Sequence, residues 1–296
     1  MGPLLFILYI NDFHKCLSKL NTINFADDTT LFTSFSVSDN LEVMIANDML
    51  CLDSWLRVNR LSLNIAKSNY MVLSNRGNVA DYNIMIRGIP LNRVNEQKFL
   101  GVTIDHNLLF KTHINTICGR VSHGVGMMRR VKSEVPQSVL RCLFYSFVHS
   151  SYTYAVAAWG SAYPTALLRL RNLVNRGIKT LSSGTSRCSI DEICRINHVL
   201  DFQCTYNYTI LVKMFKIQVM NDHHYFVSKI QNQQVEHNHQ TRFQSREDLI
   251  IPLFRLTKCQ NSFLFRGIKL WNSLDVQIRR IESLSLFKKR LKNIYV

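Results

Sequence analysis

No stretch of this 296-residue chain approaches the roughly 18 consecutive apolar residues that a membrane-spanning helix requires, so a membrane is not among the expected partners. The opening MGPLLFILYINDF has an apolar run but no basic n-region and no small-residue cleavage site, and it does not read as a signal peptide. Tight CxxC pairs are lacking. The eight cysteines (Cys16, Cys51, Cys118, Cys142, Cys188, Cys194, Cys204 and Cys259) sit mostly inside apolar helical patterns, which points to reduced thiols. The chain therefore reads as intracellular, cytoplasmic or nuclear, and not secreted. No internal repeat is visible. Acidic residues are scarce, with 20 Asp and Glu against 36 Lys and Arg.

The chain does have the material for a core. Apolar residues make up 47% and aromatics 10%, which excludes a disordered chain. The charge is unevenly placed. Residues 1–110 hold 9 Lys and Arg against 10 Asp and Glu, a net of −1, and residues 111–296 hold 27 against 10, a net of +17. A positive excess confined to one part favours a polyanion, nucleic acid above all, although a basic protein kept soluble by charge has the same composition.

Hydrophobic periodicity divides the chain at about residue 108. Residues 4–20 read as a short apolar helix. INFADDTTLFTSF follows as strand, turn and strand, with the turn at Asp27–Asp28. Asp39 and Glu42 form a capping-box pair that opens a helix over 40–58, its apolar stripe being Leu41, Met44/Ile45, Leu52, Trp55 and Leu56. Strands are expected at 61–65, 70–74, 82–86 and 98–104, with a turn at Arg87-Gly88. Helices follow at 111–133, 136–150 and 165–181, and 188–221 continues helical. The polar stretch 228–248 reads as a loop. Order returns at 262–274 and in an amphipathic helix from Ser283.

Two groups of residues could carry chemistry. Adjacent carboxylates at a hairpin tip repel each other unless solvated or bridged by a cation, and Mg²⁺ prefers such oxygens plus water and phosphate. Asp in a β-turn is also ordinary turn chemistry. Cys188, Cys194, His198 and Cys204 have the residue types of a zinc site. Their spacings are loose and they interleave with Ile190, Ile193, Ile196 and Leu200, so core cysteines are the preferred reading and zinc is not expected.

The order GPLLFILYINDF, FADDTTLF, a helix ending W-x-x-x-N, LSLNIAKSNYMVLS and KFLGVTID resembles the later palm motifs of non-LTR retrotransposon reverse transcriptases, particularly the jockey-like group. SFVHSSYTYAVAAWG and SFLFRGIKLWNSL followed by FKKRLK resemble the segments downstream of that palm. The resemblance implies an α+β fold: an incomplete palm (antiparallel sheet with helices) over 1–108, a helical thumb-like region over 109–181, and a basic, mainly helical C-terminal region over 182–296. It implies that Asp27 and Asp28 are catalytic carboxylates holding Mg²⁺ or Mn²⁺, and that Lys67 assists the pyrophosphate leaving group. Gly2, Pro3, Phe25 and Ala26 would lie near nucleotide and template, and Phe99, Leu100 and Gly101 would form the primer grip. Arg129, Arg130, Lys132, Arg169, Arg171, Arg176 and Lys179 are candidate phosphate contacts, each equally readable as a solvated helix face.

The implied partners are an RNA template, a DNA primer, their duplex and deoxynucleoside triphosphates. In the family a second palm strand, upstream of Gly2-Pro3, carries a further Asp. The sequence opens at that motif, so the expectation is a catalytically incomplete fragment with apolar surface exposed near its N-terminus. The alternative is a non-catalytic nucleic-acid-binding module.

Overall fold

The computed structural model describes residues 2–36, 40–74, 81–182, 188–222, 224–234 and 248–295. They form an α+β fold in two compact units, one of residues 1–99 and 104–108, the other of residues 100–103 and 109–296.

In the first unit, α1 (Gly2–Tyr9) and a short 3₁₀ turn (Phe13–Cys16) lead into the hairpin β1 (Asn21–Phe25) and β2 (Asp28–Phe32). The apolar run expected as one helix over 4–20 thus breaks at residues 10–12. The long helix α2 (Leu41–Val58) follows, then a 3₁₀ turn (Ile65–Lys67), the strands β3 (Asn69–Tyr70), β4 (Met85–Ile86), β5 (Ile89–Pro90), β6 (Asn92–Arg93) and β7 (Glu96–Phe99), and β8 (Val102–Asp105), whose first two residues belong to the second unit. β1–β2 and β4–β5 pair antiparallel, and β3–β6 pairs parallel.

Helix α2 supplies one side of the core. Leu41, Ile45, Met49, Leu52 and Leu56 recur at helical spacing and are buried with Phe13, Ile84 and Ile86. The Phe13 ring meets Trp55 edge-on at 5.2 Å. The start of α2 differs from the expected capping box. Asp39 lies outside the described residues, and Asn40 is the N-cap, its side chain accepting from the Val43 N–H. Glu42 instead accepts from the backbone N–H of Asn83 at 2.7 Å.

The strands are shorter than alternation suggested. Residues 61–64 carry no strand, because the Asn64 side chain caps the Ile65–Lys67 turn by accepting from the Lys67 N–H. The turn at Arg87-Gly88 is present, with both residues at positive φ.

α1 buries none of its residues. Its Tyr9 hydroxyl donates to the Asn59 carbonyl at the end of α2. Leu4, Leu5, Ile7 and Leu8 are exposed, as are Ile23, Phe25 and Phe32 of the hairpin. The N-terminal part of this unit therefore shows the apolar surface that the sequence led us to expect.

The second unit is helical. It holds α3 (Lys111–Val131), α4 (Gln137–Leu143) continued by a π-helical turn (Phe144–His149) into α5 (Ser150–Thr153), then α6 (Val156–Trp159), α7 (Pro164–Thr180), α8 (Ile190–Asn197) and α9 (Phe202–Gln218). The later helices are α10 (His224–Gln234), α11 (Thr257–Gln260), α12 (Phe263–Asn272), α13 (Val276–Arg279) and α14 (Leu284–Tyr295). Residues 228–234 of the stretch read as a loop are helical, and 235–247 lie outside the described residues.

Buried Ile114, Ile117, Val121, Val125 and Met128 of α3 face Leu170, Val174 and Ile178 of α7. Two glycines let these elements close in. A Cβ on Gly124 would stand 2.8 Å from the Phe147 carbonyl oxygen in the π-helical turn, and one on Gly177 would stand 3.3 Å from Val125. Phe215 of α9 stacks on Phe287 of α14 at 4.4 Å.

Gly124→Ala forces backbone apart and should destabilise the unit by about 1–3 kcal/mol. Gly126→Ala, in the same helix with nothing within 4 Å of its Cβ, should stabilise by about 0.5–1 kcal/mol in urea melts. His149 makes stability depend on pH. Burial, with Lys292 adding repulsion, pushes its imidazole from 6.5 down to about 4. The unfolded chain binds a proton there that the folded chain refuses, so stability is full above pH 6.5 and falls as the pH drops through that value towards 4. His149→Phe, placed among Phe144, Tyr145 and Tyr152, should flatten the slope of melt midpoint against pH in that window relative to the parent.

Candidate active site

The β1–β2 hairpin turns on two residues. Phe25 pairs with Asp28, leaving Ala26 and Asp27 as the loop. Ala26 has φ 53°, a left-handed conformation that two-residue hairpin loops require and that glycine or asparagine normally supplies. A Cβ there costs roughly 1–2 kcal/mol. Asp27 thus sits in the loop and Asp28 opens β2. Both are exposed, and neither side chain takes part in a hydrogen bond or ion pair among the described residues. Two uncommitted carboxylates side by side fit part of the shell of a hard divalent cation. Among the described residues no third Asp, Glu, His or Cys joins them in a metal-holding group.

The other candidates in this unit lie apart from one another in the chain's elements. Gly2 and Pro3 open α1 and are exposed. Lys67 ends the 3₁₀ turn with its side chain exposed, held locally by Asn64 and not by strand pairing. Phe25 is 61% exposed. A largely apolar concavity on this unit is lined by Cys16, Leu50, Cys51, Ser54, Trp55 and Val58, none of them a candidate.

The hairpin is rooted by a residue that no motif marks. Asp48 lies in the middle of α2, on the same stripe as Leu41, Ile45, Met49 and Leu52, and is 1% exposed. Its carboxylate accepts from the backbone N–H of Ser18 (3.0 Å), Lys19 (2.8 Å) and Leu20 (2.8 Å), and from the Ser18 hydroxyl (2.8 Å). Burial alone would push this carboxyl up. The N–H donors of Lys19, Ser18 and Leu20 outweigh it and hold the group below its ordinary value. The signal in the sequence is a charge on an apolar stripe. Its partners are backbone groups 28 to 30 residues away, which no spacing rule reveals.

In the second unit the turn residues Leu100 and Gly101 both have positive φ, 44° and 85°. The Tyr154 hydroxyl donates to the Leu100 carbonyl at 2.7 Å, and its ring lies 3.3 Å from where a Gly101 Cβ would be. The backbone N–H of Thr103 donates to Nδ1 of His113 at 3.3 Å, which fixes that imidazole neutral with its proton on Nε2. Burial, then Arg120, lowers the His113 pKa in accord. Phe99 ends β7 in the first unit.

The basic candidates separate into kinds. Arg129 and Arg130 occupy the last turn of α3 with Lys132 as its C-cap, all exposed, where cations complement the helix dipole. On α7, Arg169, Arg176 and Lys179 are exposed along one face, opposite buried Leu167, Leu170, Val174 and Ile178. Arg171 is off that face, half-buried, and donates to the Gln203 side chain. The thiols of Cys194 and Cys204 are pushed up to about 12 by burial first and Asp201 second, as for thiols in a core.

The sequence of residues 1–104 matches the pattern of one family, described as reverse transcriptase (RNA-dependent DNA polymerase). The match covers 104 of the 296 residues and makes that part of the chain similar to reverse transcriptases. The chain is 22% identical over 183 residues to a probable RNA-directed DNA polymerase from transposon X-element of Drosophila melanogaster, covering 60% of this chain and 20% of the relative. It is 22% identical over 193 residues to a probable RNA-directed DNA polymerase from transposon BS of the same organism, covering 62% and 21%. The chain spans about a fifth of the length of these curated relatives. No solved structure matches it. The resemblance to non-LTR retrotransposon reverse transcriptases, read from ordered motifs, is borne out, and the module without catalysis is the less favoured reading. No described helix is long and apolar enough to cross a membrane.

The Tyr154 contact generates a direct test. Tyr154→Phe removes the donor that holds the left-handed Leu100, at a cost of about 0.5–1.5 kcal/mol. Amide exchange at Gly101 to Thr103 should accelerate, with α3 unaffected. Unchanged exchange would show that the turn holds itself.

Proposed function

We propose that this chain is part of an RNA-directed DNA polymerase of a non-LTR retrotransposon. The observation that carries the reading is the FADD hairpin: two adjacent, uncommitted carboxylates at a strained tip, within the region of reverse transcriptase sequence. Asp27 and Asp28 would hold Mg²⁺ or Mn²⁺. The metal, when bound, supplies positive charge against a primer 3′ hydroxyl and the phosphates of an incoming deoxynucleoside triphosphate.

The chain's own residues take the remaining roles. Phe25 and Ala26, with Gly2 and Pro3, line the nucleotide and template side. Lys67 offers a cation for the leaving pyrophosphate. Phe99, Leu100 and Gly101 seat the primer end, with Tyr154 and His113 fixing the Leu100–Thr103 backbone. Residues 1–108 are read as a partial palm, 109–181 as a thumb-like region and 182–296 as a basic C-terminal region. Arg169, Arg176 and Lys179 form the best-ordered phosphate-facing stripe, joined by Arg129, Arg130 and Lys132. Arg171 contributes to packing. The polyanion is the RNA template with its DNA primer, in the cytoplasm or nucleus.

Two carboxylates are part of a two-metal shell, so the 296 residues alone should not extend a primer on an RNA template with Mg²⁺. A longer chain that adds a second carboxylate-bearing strand should extend it, and Asp27→Asn or Asp28→Asn in that chain should lower kcat by about 100-fold or more. Robust extension by the 296 residues would overturn the reading of an incomplete metal shell, and indifference to both substitutions would overturn the roles given to Asp27 and Asp28. Duplex binding is measurable on the chain itself. Changing Arg169, Arg176 and Lys179 to Gln should reduce the slope of log affinity against log salt by about 0.9 for each phosphate no longer neutralised.

A further inference from the structure

A carboxylate buried in the stripe of an otherwise apolar helix face is costly unless its oxygens are satisfied. Asp48 is satisfied by three successive backbone N–H groups, Ser18 to Leu20, together with the Ser18 hydroxyl. Successive N–H groups converging on one anion form a nest, an arrangement that fixes the local backbone as firmly as it binds the charge. The nest ends at Leu20, and β1 begins at Asn21. β1 and β2 have few other ties. Leu31 packs on the core, while Ile23, Phe25 and Phe32 are exposed. The hairpin that carries Asp27 and Asp28 is thus tied at the start of β1 by one charge on α2, while Phe35, three residues after β2, packs on the core edge-on to Tyr82.

We propose that Asp48 is a positioning residue for the FADD hairpin: its carboxylate, seated on the N–H nest at Ser18–Leu20, sets where Asp27 and Asp28 stand. The proposal deepens the metal-holding reading of those two carboxylates and rests on it. No neutral side chain of the same size replaces Asp48. Asn keeps one acceptor oxygen and turns an NH₂ donor towards N–H groups that are themselves donors. An apolar replacement leaves three part-buried N–H groups without that acceptor.

The test uses the 296-residue chain, with amide hydrogen exchange and Mn²⁺-induced broadening of amide resonances read together. In Asp48→Asn, protection of the β1–β2 amides should fall by about ten-fold or more, the equivalent of about 1.4 kcal/mol, with the α2 amides of Ile45 to Leu56 unchanged. Mn²⁺ broadening centred on residues 26–29 should need a several-fold higher metal concentration. Ser18→Ala, which removes one of the four bonds and keeps the nest, should move both readouts the same way by a smaller step. It also decides the matter if Asp48→Asn does not fold. Unchanged hairpin exchange in both variants, or a loss in α2 as large as in the hairpin, would overturn the positioning role. Absence of Mn²⁺ broadening in the parent chain would count against the metal reading, while the exchange difference still decides whether Asp48 anchors the hairpin.

Discussion

The first unit is organised around a buried charge. The stripe of α2 carries Leu41, Ile45, Met49, Leu52 and Leu56 into the core, and Asp48 interrupts it. An isolated carboxylate there would cost several kcal/mol and would take up a proton. Four donors from residues 18–20 remove that cost and keep the group ionised. The exchange is specific, because it holds only if residues 18–20 take one backbone path. That path determines how β1 leaves the core, and β1 determines the hairpin tip. Burial of Phe13 against Trp55, just upstream, fixes the other end of the same segment.

The second unit depends on small residues where the first depends on charge. Gly124 admits the Phe147 backbone, and Gly177 admits the side chains of Val125, Phe144 and Val148, so α3, the π-helical turn and α7 pack closely. π-Helical turns are rare and are found mostly as local insertions in α-helices. Here one widens the helix where it meets Gly124. Close packing on one side of α7 leaves its other side free for Arg169, Arg176 and Lys179. Those cations stand on a rigid helix, so their spacing along it is fixed.

Helices were far more legible than strands. The spans read at 40–58, 111–133 and 165–181 differ from α2, α3 and α7 by a residue or two, because a helix satisfies its own backbone and its periodicity is local. A strand needs a partner. LSLNI alternates well yet carries no ladder, since Asn64 offers a nearer side-chain bond. The FADD turn was legible from two adjacent carboxylates between apolar flanks, and its two-residue loop is Ala26 and Asp27. Tyr154 was not legible as the partner of Leu100, 54 residues away, and neither was Asp48 as the partner of a nest. Both contacts end on backbone atoms, which every residue has and no motif marks. Arg171 shows the converse limit: composition placed it with its basic neighbours, and its position on α7 gave it to Gln203.

The hairpin register adds a constraint on the metal reading. Directly paired residues share a face, so Phe25 with Asp28 and Ile23 with Thr30 lie on one side, and Thr22 with Leu31 on the other. The Leu31 side packs on the core. Asp28 therefore stands on the exposed side, beside Phe25 and in line with Ile23 and Phe32. A carboxylate among exposed apolar groups is poised between two environments. In water its attraction for a cation is screened to about 1 kcal/mol at roughly 4 Å, and with those apolar groups covered the same pair gains several-fold. The same apolar side that leaves this region open to association is thus what would make Asp28 a strong ligand, and cation affinity at the tip should follow the burial of Ile23, Phe25 and Phe32.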